Sequence, residues 1–279
     1  MSTKPPAPPS LAVLREEIDS IDAQVHALLM ARGDIIDRLI SVKQTQEVGS
    51  AFRPAREADM MRRLVQRHRG ILPIDTVESI WRVIIATFTY VQAPFSVHAD
   101  LSLGESAMRD SARFHFGFTV PYVAHFSSAA AVEAVAKSKG DLALVPATAS
   151  RTPWWIELEP QGMPKIIARL PFIERADHPA ALPVFVVSRV ADSAMVTEVE
   201  MWSVRVSGWN AETARALSPL AEIVAVPDTA FDGAALLISI TSATSLEKIK
   251  AALIDAGASV RSSALVGSHA TRYTVPASR

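Results

Sequence analysis

The sequence predicts a multidomain fold: an all-α N-terminal region of three helices, the first of them long, followed by an α/β region and a small α/β C-terminal unit. Two patterns predict it. Apolar residues recur at steps of three and four through the first third of the chain, and β-rich runs alternate with helical segments after Pro94. We expect a disordered, proline-rich leader at residues 1–10 and domains at 11–95, 96–190 and 191–279.

The first helix is predicted from Leu11 to Gln46, with Ser10 as its N-cap. Its apolar residues form a heptad seam: Leu11, Leu14, Ile18, Ile21, Val25, Leu28, Ile35, Leu39 and Val42. At 1.5 Å per residue the helix would be roughly 50 Å long, and a heptad helix of that length usually packs along a partner, often a second copy of itself. The seam therefore predicts a homodimer.

Two shorter helices follow a loop that contains Pro54. The second helix is predicted from Ala55 to Arg69. The third begins near Asp75, because Asp75 and Glu78 have the spacing of a capping box, and Pro94 ends it. We expect the inward face of the third helix to be apolar, formed by Val77, Ile80, Trp81, Ile84, Phe88 and Val91.

After Pro94, strands are predicted at 114–120, 141–147, 166–170 and 182–187, with a helix at AAAVEAVAKS. At 114–120 the prediction rests on alternating phenylalanines, typical of a half-buried strand. The rest of the chain repeats the alternation. Strands are predicted at MWSVRVSG, EIVAVP, ALLISIT and ASVRSSALV, and helices at AETARALSPLA and SLEKIKAALIDAG.

The composition excludes several functional classes. Lys and Arg number 28 against 29 Asp and Glu, so the overall charge favours neither nucleic acid nor an anionic membrane as a partner. The absence of cysteine excludes disulfides and thiolate chemistry. The scattered histidines predict no metal site. No apolar run approaches the ~20 residues of a membrane span, and the leader lacks a signal-like apolar stretch, so a cytoplasmic location is expected.

Arg32 occupies a seam position where an apolar residue is expected. A buried cation is costly unless an anion meets it, either a ligand or a neighbouring carboxylate. Lys43 lies three helical turns further on, so the two cations share a face about 16 Å apart and could close on a small dicarboxylate. Arg15 is roughly 25 Å from Arg32 on the same helix and could reach that site only from a second subunit.

Five segments of the first 95 residues carry a family resemblance: LREEIDSID, LLMAR, SVK, FRPAREADMM and VIIATFTYVQAP. In order and spacing they are similar to the all-helical, bacterial-type chorismate mutases, particularly those fused to prephenate dehydratase. The resemblance implies an isomerase that converts chorismate into prephenate in the shikimate pathway to phenylalanine and tyrosine. It further implies a homodimer with shared active sites and no cofactor.

Transferred position by position, the resemblance also implies roles for single residues. Lys43 and Gln92 would donate hydrogen bonds to the ether oxygen, and Glu57 would accept one from the ring hydroxyl. The substrate-binding residues would be Arg15 of the second subunit, Arg32, Arg56 and Phe88. Arginine suits a dicarboxylate because its guanidinium binds carboxylates bidentately.

This chain departs from the pattern at Phe88, where many relatives have a small or polar residue, and at Arg53, where some have an acidic one. Phe88 is expected to narrow the pocket.

The region after residue 95 resembles prephenate dehydratase only in part. DLALVPATAS (141–150) is similar to a dehydratase stretch with its polar end altered, and the Thr-Arg-Phe signature would fall at Pro183, Val184 and Phe185. We therefore expect a degenerate dehydratase-like domain without activity, followed by a unit similar to amino-acid-binding regulatory domains. Two alternatives stay open: a bifunctional mutase and dehydratase, and a non-enzymatic sensor of an aromatic-pathway metabolite.

Overall fold

The computed structural model describes residues 10–43, 52–148, 150, 152–180, 182–189, 196, 198–225 and 233–275. The chain divides between Val48 and Gly49 into two compact units. The first contains helix α1 (Leu11–Lys43), and the second contains every other described helix and strand.

Helix α1 begins where the sequence predicts. Ser10 caps it, because its Oγ accepts a hydrogen bond from the backbone N–H of Val13 at 3.3 Å. The predicted end at Gln46 lies outside the described residues. Most of the heptad seam is exposed to solvent in the single chain, from 74% for Leu11 to 40% for Leu14. An apolar stripe left this open within one chain is typical of a surface that a partner covers.

Helices α2 (Pro54–Arg67) and α3 (Ile74–Gln92) confirm the other two predicted helices within one or two residues at each end. We call them together the α2–α3 hairpin. Pro54 suits the first position of α2, where its missing N–H would have no helical partner.

The predicted capping box of α3 is wrong. Pro73 occupies the N-cap position, and no side chain caps the helix. Asp75 instead accepts a hydrogen bond from Arg175, and Glu78 accepts two from the backbone of the α/β region, so both carboxylates have partners outside their own helix.

The predicted apolar inward face of α3 is also wrong in part. Ile80 and Val91 are exposed, whereas Glu78 and Arg82 are buried. The buried face carries charges because each finds a partner: Glu78 in the α/β region and Arg82 on α2. Paired charges can be buried on a face where unpaired ones could not.

The remaining elements follow in this order: β1 (Val97–Asp100), α4 (Glu105–Phe116), β2 (Tyr122–His125), α5 (Ser128–Ala136), β3 (Leu142–Pro146), a 3₁₀ helix (Trp154–Leu158), β4 (Lys165–Leu170), β5 (Ile173–Glu174), β6 (Val184–Ser188), β7 (Val199–Ser207), α6 (Ala211–Leu217), β8 (Glu222–Ala225), β9 (Ala234–Thr241), α7 (Leu246–Asp255), β10 (Ser259–His269) and β11 (Tyr273–Thr274). Apart from 114–120, the predicted strands and helices after Pro94 are confirmed.

The strand prediction at 114–120 is wrong, because α4 extends to Phe116. Met108, Ala112 and Phe116 recur at helical spacing and are all buried. Gly117, at a φ of +65°, follows the last helical residue, as glycine often does. Phe118 lies beyond the helix and is 83% exposed, so the alternation of phenylalanines did not reflect a strand.

Nine strands of the described chain form one mixed sheet in the order β2-β1-β3-β6-β4-β10-β7-β9-β8. Strands β1, β2 and β3 are parallel, and β6 lies antiparallel between β3 and β4. Strands β7 to β10, with α6 and α7, form an antiparallel β-α-β-β-α-β half of the ferredoxin-like type. Strands from both predicted α/β regions thus belong to one sheet.

The two halves of the sheet meet where β10 lies parallel to β4, with Gly267 opposite Ile166. Gly267 has a φ of +150°, and a Cβ atom placed on it would lie 2.1 Å from the carbonyl oxygen of Ile166. Only glycine allows the two backbones to approach this closely.

One apolar cluster runs across both halves on one face of the sheet, beneath α5 and the 3₁₀ helix, and includes Trp155, Phe185 and Leu237. On the opposite face a second cluster lies beneath α3 and α4, and a third lies beneath α6 and α7. A fourth joins the α2–α3 hairpin to Phe172 and Ala270. The hairpin therefore packs directly on the α/β elements. Within the described residues, no helix is both long and apolar enough to span a membrane.

Candidate active site

Three of the predicted site residues lie on α1. Arg15 is exposed, near the start of the helix, and Arg32 is half-buried. Arg32 is more sheltered than its apolar seam neighbours Leu28 and Ile35, which are 71% and 53% exposed. Lys43 is the last residue of α1, and its side chain lies outside the part of the chain that is described.

The other four predicted residues lie on the α2–α3 hairpin. In the first turns of α2, Arg56 is exposed and Glu57 is buried. Phe88 and Gln92 are half-buried and one turn apart on α3, where the Gln92 side-chain amide donates a hydrogen bond to the backbone carbonyl of Phe88 at 3.0 Å. This bond orients the amide of Gln92 near the end of the helix.

Glu57 forms a buried ion pair with Arg82, a residue that sequence reasoning missed. An Nη1 hydrogen of Arg82 is donated to Oε2 of Glu57 at 2.6 Å, and the two side chains are only 4% and 9% exposed. Burial raises the pKa of Glu57, while the charge and hydrogen bond of Arg82 and the backbone amide of Arg53 oppose the rise. The sequence held one indication of its position: Arg82 lies one helical turn after Glu78 and one turn before Ala86, on the same face of α3.

A small cavity of about 20 Å³ adjoins the pair. Its lining from the hairpin and the segment before it includes Phe52, Glu57, Met61 and Arg82, and its lining from the α/β elements includes Arg169, Leu170, Phe172 and Ala270. A space of this size holds about one water molecule. It is far too small for a six-membered ring with two carboxylates.

The positions of the dehydratase signature lie in the core of the sheet. Val184 and Phe185 are fully buried on β6, and Pro183 accepts a backbone hydrogen bond from Ala147 at 2.8 Å. The Phe185 ring packs 6.5 Å from that of Trp154 and beneath the guanidinium of Arg169 at 5.6 Å. These positions contribute packing and no polar side chain.

Hydrogen bonds to the carboxylate of Asp100 hold the loop after β1 in place. Asp100 is buried and accepts hydrogen bonds from the backbone N–H of Ser102 at 2.8 Å, the Ser102 hydroxyl at 3.0 Å and the Ser128 hydroxyl at 2.5 Å. The carboxylate is thus fully engaged in holding the loop to the start of α5.

Two histidines that are distant in the sequence, His98 and His125, lie next to each other in the structure. The register of β1 and β2 brings Nδ1 of His98 within 2.8 Å of Nε2 of His125, and Nε2 of His98 lies 3.3 Å from Asp141. His115, His178 and His269 are buried, as expected of packing residues. Across the described ranges, no group of three or more histidines and carboxylates is arranged to hold a metal.

In a comparison with known proteins, the segment that contains α1, α2 and α3 matches a family model. Residues 14–93 match the model of the chorismate mutase type II family. The resemblance inferred from the sequence is thereby confirmed for this segment, and the helical region fits a chorismate mutase domain, whereas the rest of the chain is a large mixed α/β sheet.

The chain also matches part of a curated relative. The chain is 30% identical over 103 residues to a protein of Neisseria gonorrhoeae described as a bifunctional chorismate mutase/prephenate dehydratase. The match covers 37% of this chain and 27% of that protein, so the chain spans about a quarter of the relative's length. A solved structure described as GqqA, a novel type of quorum quenching acylases, is 12% identical, with a TM-score of 0.39 over 63% of this chain and 94% of that one.

Proposed function

We propose that the protein is a chorismate mutase. The match of residues 14–93 to the family model carries the proposal. Six basic or polar residues that the family resemblance assigns to the site occur in order, Arg15, Arg32, Lys43, Arg56, Glu57 and Gln92, whereas Phe88 and Arg53 depart from the pattern. The proposed place of the reaction is the cytoplasm, in the biosynthesis of phenylalanine and tyrosine.

The rearrangement of chorismate suits a site made only of cations and hydrogen-bonding groups. Within one molecule a C–C bond forms as the ether C–O bond breaks, so no nucleophile, metal or redox group takes part. Arg15 of a second subunit and Arg32 bind the two carboxylates and hold the reactive conformer. Lys43 and Gln92 stabilise the charge that develops on the ether oxygen. Arg56 adds positive potential, and Phe88 narrows the pocket.

The site is completed by a second copy of the chain. The exposed apolar seam of α1 supports this, because a helix that presents such a stripe to water in the single chain gains from pairing. Arg15 lies too far along the same helix to share a ligand with Arg32, so it would act across the subunit boundary.

The region after residue 95 is proposed to be non-catalytic. The burial of Val184 and Phe185 and the absence of a polar side chain at 183–185 support the loss of dehydratase chemistry. The description of the Neisseria protein favours the bifunctional alternative. A metabolite sensor with an inactive mutase site is the third possibility, and the same assays separate all three.

The test is the conversion of chorismate by the purified chain, with Arg32→Ala, Lys43→Ala and, as a matched control, Arg38→Ala at an exposed position of α1. We expect prephenate from the parent and from the control. The Arg32 and Lys43 variants should lose about 10²- to 10³-fold in kcat, the usual effect of removing one charge-stabilising donor. A parent that makes no prephenate refutes the enzyme and favours the sensor, while phenylpyruvate formed from prephenate favours the bifunctional protein.

Mixing Arg15→Ala with Arg32→Ala chains tests the shared site. A mixed dimer contains one site with both defects and one with neither, so partial activity should return on mixing. No recovery, although mixed dimers form, would contradict the role of Arg15 across subunits.

A further inference from the structure

The small cavity beside the α2–α3 hairpin is lined by two buried arginines from different parts of the fold. Arg82 belongs to α3, and Arg169 belongs to β4 of the sheet. Their side chains are only 4% and 9% exposed. The cavity therefore lies where the hairpin packs on the α/β elements, and each side of that contact contributes one arginine to its lining.

Each of these arginines has a buried Nε–H group for which the described residues offer no acceptor. The other bonds of the two side chains are ordinary ones. Arg82 donates a hydrogen bond through Nη1 to Glu57 at 2.6 Å. Arg169 donates two, through Nη1 and Nη2, to Glu222 at 2.8 and 3.0 Å. Because a buried N–H group is costly without a hydrogen bond, both Nε–H groups require a further acceptor.

The size of the cavity and the charge of its lining select that acceptor. A volume of about 20 Å³ holds one water molecule and little else. Arg82 is already paired with the carboxylate of Glu57, and Arg169 with that of Glu222. The two cations are thus balanced, and they leave no surplus positive charge for an anion such as chloride to neutralise. A neutral acceptor is therefore favoured.

The hydrogen-bonding capacity of water matches these partners. Its oxygen accepts two hydrogen bonds, which is one for each Nε–H group. The Glu57 carboxylate also lines the cavity and has about four acceptor positions, whereas its bonds from Arg82 and from the backbone amide of Arg53 use only two. It can therefore accept a hydrogen from the same water. Three partners are the usual number for a buried water molecule.

We propose that this cavity is a binding site for one structural water molecule, which accepts a hydrogen bond from Arg82 and another from Arg169 and so joins α3 to β4. The water connects two ion pairs, Glu57–Arg82 in the hairpin and Arg169–Glu222 in the sheet, into one polar network. The hairpin is thus held on the α/β elements by a polar bridge as well as by the apolar cluster between them.

The test fills the cavity with a side chain of chosen polarity. Ala270 lines the cavity and is buried, and valine and threonine at this position differ only by a methyl and a hydroxyl group. Either side chain takes up the space of the water, but only the threonine hydroxyl offers an oxygen acceptor to the arginines. Ala270→Val should therefore melt at least about 2 °C below Ala270→Thr, the effect of one orphaned donor in a chain of this size.

Val186→Thr is the matched control. Val186 is fully buried on β6 in an apolar cluster and does not line the cavity. The same exchange of a methyl for a hydroxyl group should there lower the melting temperature, because the hydroxyl is buried among apolar groups. An Ala270→Val variant that is as stable as Ala270→Thr, or more stable, would show that the cavity is a dry packing defect and would overturn the proposal.

A direct count of buried water decides the case if the Ala270 variants do not fold. Magnetic relaxation dispersion of the water oxygen counts the molecules that a protein holds inside it for long times. The parent should hold one more than Ala58→Val, which fills the cavity from α2. An equal count in the two proteins overturns the bridge.

A comparison of salts distinguishes water from an anion. The melting temperature of the parent should be the same in chloride and in gluconate at equal ionic strength, because a water site has no preference between them. Stabilisation that saturates with chloride would show that an anion occupies the cavity, and the proposal of a water site would be wrong.

Discussion

Replacing Glu78 with alanine removes a fully buried carboxylate that joins α3 to the α/β elements. Glu78 accepts hydrogen bonds from the backbone N–H groups of Phe172 at 2.8 Å and Ile173 at 3.3 Å. In the alanine variant both donors stay inside the protein without this partner. Each orphaned donor costs about 1–3 kcal/mol, so we expect the free energy of unfolding to fall by about 2–6 kcal/mol. Glu78→Gln keeps one acceptor oxygen and should lose about half as much.

Urea unfolding followed by tryptophan fluorescence measures this change, because Trp81 lies on α3 and Trp155 lies in the core of the sheet. Glu16→Ala, at an exposed position of α1, is the control and should stay within about 0.5 kcal/mol of the parent. If Glu78→Ala were equally close to the parent, the carboxylate would not hold α3 on the α/β elements, and our account of the buried face of that helix would be wrong.

Three further predictions concern the sheet, the pH range and the pocket. Gly267→Ala should destabilise the chain by several kcal/mol, because the added Cβ would meet the Ile166 carbonyl at 2.1 Å; an unchanged melting temperature would contradict the close approach of β10 and β4. Burial lowers the pKa of His269 to about 4 and that of His115 well below its usual value. Their contribution to stability is therefore complete above about pH 6.5 and is lost as the pH falls, by up to about 3 kcal/mol for His269, and His269→Gln should flatten the melting temperature between about pH 6.5 and 4. Phe88→Ser should raise kcat/KM for chorismate severalfold by widening the pocket; a lower value with unchanged folding would show that the ring contacts the substrate productively.

Local pattern predicted the secondary structure well wherever one face of an element is uniformly apolar. The heptad of α1 and the β-rich runs of β3, β4, β6 and β9 are of this kind, and each element lies where the pattern indicates. At 114–120 the same reasoning failed, since alternating phenylalanines overlapped the end of a helix whose buried positions begin further upstream at Met108. A short alternating run cannot distinguish a strand from the last turn of a helix.

The tertiary contacts of the candidate site were not predictable in the same way. Arg82 and Glu78 are charged, so periodicity places them on the solvent side of α3, and only their distant partners make burial possible. The approach of His98 to His125 depends on strand register, and the junction at Gly267 depends on the pairing of two strands about a hundred residues apart. The candidate site residues were identified from the order and spacing of short motifs, which can be recognised in the sequence without any knowledge of these contacts.

The α2–α3 hairpin has two different sets of constraints on its sequence. Arg56 and Gln92 lie in the short segments that resemble the chorismate mutases, while Glu78 and Arg82 lie outside those segments and are buried through contacts with more distant residues. Because Glu78 binds the backbone next to β5, a change in the α/β elements there would act directly on α3, the helix that carries Phe88 and Gln92. The α/β elements therefore have a physical route by which to influence the proposed site, even though the positions of the dehydratase signature are filled with core residues.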